Sequence, residues 1–207
     1  MSDARPTIFV VDDDASVRDA LCNLLESLGF DTQLFASTEQ FRRAFQPQTP
    51  GCLLLDVRFP GANGLDFQQV LQRAGISIPV IFITAHGDVP MASRALKAGA
   101  VEFLMKPFQK DELLAAIEQA LERDRSGRVA LAELAVLQSR FDELTPRERE
   151  VLELVVSGMT NKEIGSKLGI SEVTTKMHRG QVMRKMNAAS LADLVRMSDK
   201  LKPRGLR

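Results

Sequence analysis

The fold of this chain is decided by the stretch IFVVDDD at residues 8–14, in which four apolar residues are followed by three aspartates. A second stretch, LLLD at residues 53–56, repeats the arrangement with a single aspartate. A short apolar run that ends in charge is typical of a fully buried strand in a parallel sheet. Because ligands bind outside the carboxyl ends of such strands, the two stretches together predict one acidic crevice.

The predicted crevice brings several negative charges together. Carboxylates this close cannot all stay ionised unless a cation is bound among them or protons are taken up. Asp12, Asp13 and Asp56 therefore predict a hard divalent cation on oxygen ligands, with Mg²⁺ as the leading candidate. We expect Asp14 to cap the following helix instead, since aspartate favours that position.

Apolar runs alternate with segments of helical period through the first part of the chain. The runs lie at 8–11, 32–35, 52–55, 79–83 and 101–105. This alternation predicts an α/β domain with a five-stranded, doubly wound parallel sheet, whose right-handed crossovers bring every strand end to one edge. Thr84 and Lys106 follow the fourth and fifth runs, so we expect both of them beside the acidic crevice.

The net charge of zero conceals an acidic first part and a basic second part. Residues 1–124 contain 11 Lys and Arg against 17 Asp and Glu (−6), and residues 125–207 contain 16 against 10 (+6). The basic part favours nucleic acid as a partner, although a solvated charged surface would give the same count. Cys22 and Cys52 lack the spacing of a metal site or a disulfide framework. With no long apolar stretch and no signal sequence, we expect a cytoplasmic protein without membrane contact.

A change of composition between the two parts predicts a helical linker with a weak point at Gly127. Apolar residues recur along it at spacings of three, four and three. They could form a short coiled-coil seam between two copies of the chain, or pack on the chain's own domains, and both readings stay open. The four residues are Leu134, Leu137, Phe141 and Leu144.

The end of the chain predicts four short helices and no strands. A cap residue, a proline and an acid at 145–148 are typical of a helix start. The second and third of these helices are joined by a short turn at 168–170. This is helix-turn-helix geometry, in which the third helix would enter the major groove of DNA.

The first part of the chain resembles a known family. The residues that carry the resemblance are Asp12-Asp13, Asp56 with Pro60-Gly61 and Gly64, Thr84-Ala85, and Lys106-Pro107-Phe108. With these motifs in this order, residues 6–124 resemble the receiver domain of bacterial two-component response regulators, which has a flavodoxin-like fold. The resemblance implies that a sensor histidine kinase phosphorylates Asp56. It also implies that Mg²⁺ is held by Asp12, Asp13, Asp56 and the backbone carbonyl of Arg58.

Three further residues complete the predicted phosphorylation site. A carboxylate attacks phosphorus only if the charge on the transferring phosphoryl group is offset, and Lys106 would supply positive charge from a neighbouring strand end. Thr84 offers its hydroxyl to a phosphoryl oxygen. The resemblance implies that Phe103 is an aromatic switch that turns inward when Thr84 moves. It also implies a cis peptide bond between Lys106 and Pro107.

The second part resembles the LuxR-type helix-turn-helix of the NarL/FixJ branch of response regulators. The matching residues are Leu144-Thr145, Arg147-Glu148, Glu150-Val151-Leu152, Gly158, Asn161-Lys162-Glu163-Ile164, Leu168-Gly169-Ile170-Ser171, Thr174, Lys176, His178 and Lys185. We therefore expect a receiver domain at 1–123, a helical linker at 124–143 and a LuxR-type helix-turn-helix domain at 144–207.

Candidate DNA contacts lie on the second and third helices of this domain. The residues placed where the family contacts base edges or phosphates are Lys176, Arg179 and Gly180. The candidates for contacts to the DNA backbone, which fix register without reading sequence, are Lys162, Thr174, His178 and Lys185. Four apolar residues of the third helix fall largely on one stripe, which predicts that at least three of them are core. They are Val173, Met177, Val182 and Met186.

These features predict a transcription regulator that is switched by phosphorylation. After transfer to Asp56, the protein would form a homodimer through helix four and strand five and bind promoter DNA, with RNA polymerase as a further candidate partner. The alternative is an enzyme, a phosphatase that forms an aspartyl phosphate. Such enzymes need a second acid two residues after the nucleophile, where this chain has Arg58, so we expect no enzyme beyond slow self-dephosphorylation. An adaptor without DNA binding would leave the helix-turn-helix pattern unexplained.

Overall fold

The computed structural model describes residues 5–59 and 62–201. The chain divides between Arg128 and Val129 into two compact units, each with a hydrophobic core of its own. The Pro60-Gly61 motif lies outside the described residues. In the described part of the chain, no helix combines the length and the apolar character that crossing a membrane requires.

The first unit is built on a five-stranded parallel sheet. Its strands are β1 (Thr7–Val11), β2 (Asp31–Phe35), β3 (Gly51–Asp56), β4 (Val80–Thr84) and β5 (Glu102–Met105). They lie in the order β2-β1-β3-β4-β5, and every neighbouring pair is parallel. The predicted doubly wound α/β architecture is therefore confirmed.

Five helices connect these strands. They are α1 (Ala15–Ser27), α2 (Thr38–Ala44), α3 (Gly64–Arg73), α4 (Val89–Lys97) and α5 (Lys110–Asp142). The first four begin after a polar residue whose side chain accepts a hydrogen bond from a backbone N–H of the first turn. Asp14 has this role at α1, as its position in the sequence predicts. A two-stranded ribbon of Arg58–Phe59 and Ala62–Asn63 separates β3 from α3.

The sheet is buried on both faces, which explains why its strands are continuous apolar runs. Phe9 of β1 belongs to a core that is rich in phenylalanine, and its neighbour Ile8 belongs to a second core on the other face. Cys52 of β3 is fully buried, and burial raises the pKa of its thiol to about 12. Cys22 and Cys52 are both free cysteines, and Cys52 lies in the core.

Helix α5 continues through Gly127 without a break, so the predicted weak point does not interrupt it. Leu137 and Leu144 are buried in the core of the second unit, and Phe141 packs against that core. Leu134, the first residue of the same stripe, remains 39% exposed. The stripe therefore serves mainly to pack on the chain's own second unit.

The rest of the second unit is helical in the described residues up to Leu201. Its helices are α6 (Pro146–Val156), α7 (Asn161–Leu168), α8 (Glu172–Met186) and α9 (Leu191–Leu201). Thr145 and Thr160 begin α6 and α7 with complete capping boxes. Gly169 ends α7 in a left-handed conformation with φ of 66°, which glycine adopts at little cost. The predicted all-α helix-turn-helix domain is confirmed.

The expectation that at least three apolar residues of α8 are core is wrong. Val182 and Met186 are fully buried, whereas Val173 is 79% exposed and Met177 is 55% exposed. The reason is geometric, because Val173 and Val182 are separated by about two and a half helical turns and so point to opposite sides. Thr175, which is fully buried, occupies the inner face instead.

Candidate functional site

Three carboxylates meet at the carboxyl edge of the sheet. One oxygen from each of Asp12, Asp13 and Asp56 lies within 4.8 Å of the others. Strands β1 and β3 are neighbours in register, with Val11 opposite Leu55, so the residues that follow these two come together. Oxygen ligands on rigid strand ends suit a hard divalent cation.

The burial of these carboxylates differs. Asp12 is 1% exposed and Asp56 is 9% exposed, whereas Asp13 faces solvent. Burial raises the pKa of Asp56, and the charges of Asp12 and Asp13 add to this effect. The charge of Lys106 and a hydrogen bond from the Val57 N–H act in the opposite direction. The net direction is upward, so the pocket favours an added positive charge.

Lys106 brings such a charge from the end of β5. Its Nζ donates a hydrogen bond to Asp12 Oδ2 at 2.7 Å, and its backbone N–H donates to the Thr84 carbonyl at 2.8 Å. The Lys106-Pro107 peptide bond is cis, as the resemblance implies. The predicted gathering of Asp12, Asp13, Asp56, Thr84 and Lys106 at one edge is thus what the structure contains.

Thr84 and Phe103 lie together beside this edge. Thr84 is 1% exposed, and its Oγ1 accepts a hydrogen bond from the His86 N–H at 3.2 Å. Phe103 is half-buried, with its ring centroid 6.2 Å from that of Phe82. The Thr84 oxygen therefore accepts from a local backbone group, while its O–H remains free to donate to a phosphoryl oxygen.

Gly87 is a residue of this region that sequence reasoning missed. A Cβ at this position would lie 2.7 Å from Cε1 of Phe103 and 3.2 Å from Cγ2 of Thr84. The first distance is closer than atoms can approach, so any other residue would displace the ring of Phe103. A glycine three residues after Thr84 was the only signal in the sequence.

Arg18 is a second residue that sequence reasoning missed. Its NH1 donates hydrogen bonds to the backbone carbonyls of Asp12 at 2.7 Å and Asp13 at 3.0 Å. These contacts tie the loop that carries two of the carboxylates to the first turns of α1. Arg58, by contrast, is exposed in the ribbon after β3, where it lies opposite Asn63 in the antiparallel strand pair.

The candidate DNA contacts on α8 fall into two groups by exposure. Lys176 and Gly180 are exposed, and so is Lys162 on α7. The half-buried group lies on the flanks of the helix and consists of Thr174, His178, Arg179 and Lys185. Arg179 NH1 donates to the Asn161 side chain at 3.2 Å. Among the candidate DNA contacts, only Lys162, Lys176 and Gly180 are therefore exposed.

Lys185 has a partner inside the domain. Its Nζ lies 2.7 Å from Glu148 Oε2 and donates to the Glu143 carbonyl at 3.1 Å. Burial would raise the pKa of Glu148, but hydrogen bonds from Lys185 and Thr145 outweigh burial and lower it. This arrangement favours a structural role for Lys185.

Two family models match the sequence. Residues 8–118 match the response regulator receiver domain, and residues 142–198 match the bacterial regulatory proteins of the luxR family. The two matches coincide with the sheet-based unit and with the helical unit, respectively.

Similar proteins align over nearly the whole chain. Nodulation protein W of Bradyrhizobium diazoefficiens is 50% identical, and the alignment covers 95% of this chain and 87% of that protein. Transcriptional regulatory protein FixJ of the same species is 40% identical, with 92% and 93% covered. The solved structure of response regulator StyR is 49% identical with a TM-score of 0.81, covering 95% of this chain and all of that one.

Proposed function

Because this chain belongs to the response regulators that join a receiver domain to a LuxR-type DNA-binding domain, we propose that phosphorylation of Asp56 switches its affinity for promoter DNA. The chain is a two-component transcription regulator with a histidine kinase as its partner. The observation that carries the proposal is the position of Asp56, beside two further carboxylates and on the sheet edge that also carries Lys106. We assign the receiver to 1–123, the linker to 124–143 and the DNA-binding domain to 144–207.

The geometry of the pocket supports transfer of a phosphoryl group from the kinase to Asp56. A carboxylate oxygen of Asp56 forms the new bond to phosphorus, while the bond from phosphorus to the imidazole nitrogen of the kinase breaks. Negative charge on the phosphoryl oxygens must be offset during this step, and the ammonium of Lys106 is placed to do so. Lys106 is paired with Asp12 and its charge also acts on Asp56, so its ammonium would move from Asp12 toward the phosphoryl group.

The metal site that we propose consists of Asp12, Asp13, Asp56 and the backbone carbonyl of Arg58. Three carboxylate oxygens within 4.8 Å of one another fit a hard cation well. Mg²⁺, when bound, would neutralise the phosphoryl oxygens and the clustered carboxylates. Arg18 would hold the loop of Asp12 and Asp13 in place through its two backbone contacts.

Phosphorylation of Asp56 would change the conformation of Thr84 and Phe103. The Thr84 hydroxyl, whose oxygen accepts from the His86 N–H, would donate to the phosphoryl group, and the Phe103 ring would turn inward as Thr84 moves. Homodimerisation would follow on α4 and β5, whose exposed apolar residues are Val89, Leu96 and Met105. Paired helix-turn-helix domains would then bind two half-sites in the cytoplasm, with RNA polymerase as a further partner.

Phosphatase activity is the competing function. The position of a second acid, two residues after Asp56, is held by Arg58, which cannot give up a proton to a leaving group at neutral pH. We therefore assign the chain at most slow self-dephosphorylation. The basic helical unit, with its helix-turn-helix, also favours a regulator.

DNA binding by the full chain tests this function. Gel shifts would use a duplex enriched from a randomised library, with and without acetyl phosphate and Mg²⁺, over a range of salt concentrations. We expect phosphodonor to strengthen binding to the duplex, and added salt to weaken it steeply because phosphate contacts release counterions. The Asp56→Asn chain should not respond to the donor. Equal affinity with and without donor, or affinity independent of salt, would contradict the proposal.

A further inference from the structure

The outer face of α8 carries apolar side chains where solvent-exposed charge would be expected. Val173 is 79% exposed and Met177, one turn later, is 55% exposed. Gly180 follows on the same face, and a Cβ there would meet nothing within 4 Å. The face ends with Arg184, which is exposed. This stripe of Val173, Met177, Gly180 and Arg184 is the outer face of α8.

The packing of α8 fixes which side of the helix is outward. Thr175, Val182 and Met186 are fully buried against the other helices of the unit. The hydroxyl of Thr175 also donates to the Ser171 carbonyl at 3.1 Å, which anchors the first turn. Because the inner face is locked, the helix cannot rotate to bury Val173 or Met177.

Charge around the outer face indicates what covers it. Lys176 and Arg184 flank the apolar residues, and residues 125–207 carry a net charge of +6. A polyanion complements such a surface, whereas an apolar protein partner would bury these cations without compensation. Duplex DNA offers phosphates at the rims of its major groove for the basic residues. The methyl group that it presents on the groove floor is the C5-methyl of thymine.

We propose that Val173 and Met177 determine sequence specificity by contacting thymine methyl groups in the major groove. The inference rests on the proposed DNA-binding function and adds the chemistry of recognition. An apolar side chain distinguishes thymine from cytosine by contact with the methyl group, without a hydrogen bond. Gly180 adds no side chain between the two surfaces, so the helix can approach the bases closely.

Uracil substitution isolates the methyl contact, because uracil differs from thymine in DNA only by the C5-methyl group. The full chain is first used to enrich a duplex from a randomised library. Each thymine in that duplex is then replaced singly by uracil, and the affinity is measured at fixed salt. At one or two thymines per half-site we expect about a fourfold loss, the value of one buried methyl group.

The variants Val173→Ala and Met177→Ala then complete a double-mutant cycle. Each should bind the thymine duplex more weakly and lose its sensitivity to uracil at the position which that side chain contacts. Lys176→Ala is the matched control on the same helix, since it should weaken thymine and uracil duplexes equally. Both test residues are exposed, so thermal unfolding of the variants should match that of the unaltered chain.

The outcomes separate this inference from the proposed function. If no duplex is enriched, or if binding is independent of salt, the DNA-binding function itself fails. If a duplex is enriched and bound specifically but uracil has no effect at any position, the methyl contacts do not exist. An enriched site without thymine, or alanine variants that remain as sensitive to uracil as the unaltered chain, also overturns the inference.

Discussion

Nζ of Lys106 lies 2.7 Å from Oδ2 of Asp12, although the two residues are 94 positions apart in sequence. They follow β5 and β1, which are separated in the sheet by β3 and β4. The ion pair therefore passes over the end of β3, where Asp56 is located. Lys106 occupies a carboxylate that a metal ion would also need, so lysine and metal compete for Asp12.

Replacing Lys106 by methionine should therefore strengthen Mg²⁺ binding. The substitution removes one positive charge next to a divalent site while it keeps the length of the side chain. We expect the affinity for Mg²⁺ to rise on the order of tenfold, measured by isothermal titration calorimetry. Lys110→Met, at the exposed start of α5, is the control and should leave the affinity unchanged. Weaker Mg²⁺ binding in the Lys106 variant would show that the amine supports the site rather than competing.

Asp56→Asn should stabilise the protein at neutral pH when Mg²⁺ is absent. Burial raises the pKa of Asp56, so the folded chain binds this proton more tightly than the unfolded chain. The cost of the buried charge is absent below the ordinary value of 3.8 and grows as the pH rises through the raised pKa. At pH 7 we expect the unfolding midpoint to rise by a few degrees.

The pH dependence of the unfolding midpoint is the control for the predicted stabilisation by Asp56→Asn. The difference between Asp56→Asn and the unaltered chain should shrink as the pH falls below the ordinary aspartate value. Asp31→Asn removes an exposed carboxylate from β2 and should change the midpoint little at any pH. A lower midpoint for Asp56→Asn at pH 7 would mean that the Asp56 charge is stabilised by its surroundings.

Lys185→Met should destabilise the helical unit more than it weakens DNA binding. The substitution leaves Glu148, which is 6% exposed, without its charged partner, at a cost of about 1–3 kcal/mol. Since the pKa of Glu148 is lowered, this stabilisation is present above its ordinary value of 4.5 and is lost as the pH falls through the lowered pKa. Hydrogen exchange of α6 and α8 amides measures the effect, and Lys167→Met, which is exposed, is the control. Unchanged exchange with a large loss of DNA affinity would assign Lys185 to the DNA backbone.

Arg128 holds the start of the linker helix to the receiver. Its Nε lies 2.7 Å from the buried carboxylate of Asp124, which also accepts from the Gly51 N–H at 3.1 Å. Its two terminal nitrogens donate to three carbonyls of the loop before β3, at distances of 2.6–3.1 Å. The contacts connect α5 to the strand that ends in Asp56.

Arg128→Ala should therefore lower the free energy of unfolding of the receiver by about 1–3 kcal/mol, because it leaves Asp124 buried without its cation. Urea denaturation of the full chain provides the measurement. Arg125→Ala, on the exposed side of the same helix, is expected to have little effect. If the two variants unfold alike, the hydrogen bonds of Arg128 contribute nothing net.

The proposed phosphorylation pocket could be predicted because its residues directly follow strand ends. Each apolar run predicts a buried strand, and the carboxyl ends of parallel strands meet at one edge of the sheet. The residues that follow these strands therefore come together independently of the loop conformations; they are Asp12, Asp56, Thr84 and Lys106. Arg18 and Gly87 could not be found this way. Their importance depends on the path of a loop and on the space beside Phe103, and neither leaves a periodic signal in the sequence.

The outer face of α8 could not be predicted for a different reason. An apolar residue on a helix indicates burial in most proteins, so Val173 and Met177 looked like core beside Val182 and Met186. Only the rotation of α8, set by the burial of Thr175, shows that the two pairs face opposite ways. The contacts of Arg128 could not be predicted for a third reason. Its partners are backbone carbonyls about 80 residues earlier, and backbone groups carry no side-chain pattern that the sequence could show.

The most direct test of the whole account is the position of the phosphoryl group. The full chain is incubated with labelled acetyl phosphate and Mg²⁺, and reduction of the acyl phosphate with borohydride marks the modified residue for mass spectrometry. We predict acid-labile label on Asp56 alone, none in Asp56→Asn, and none when EDTA removes Mg²⁺. Label that persists at full stoichiometry in Asp56→Asn, or that maps to another residue, would contradict the account.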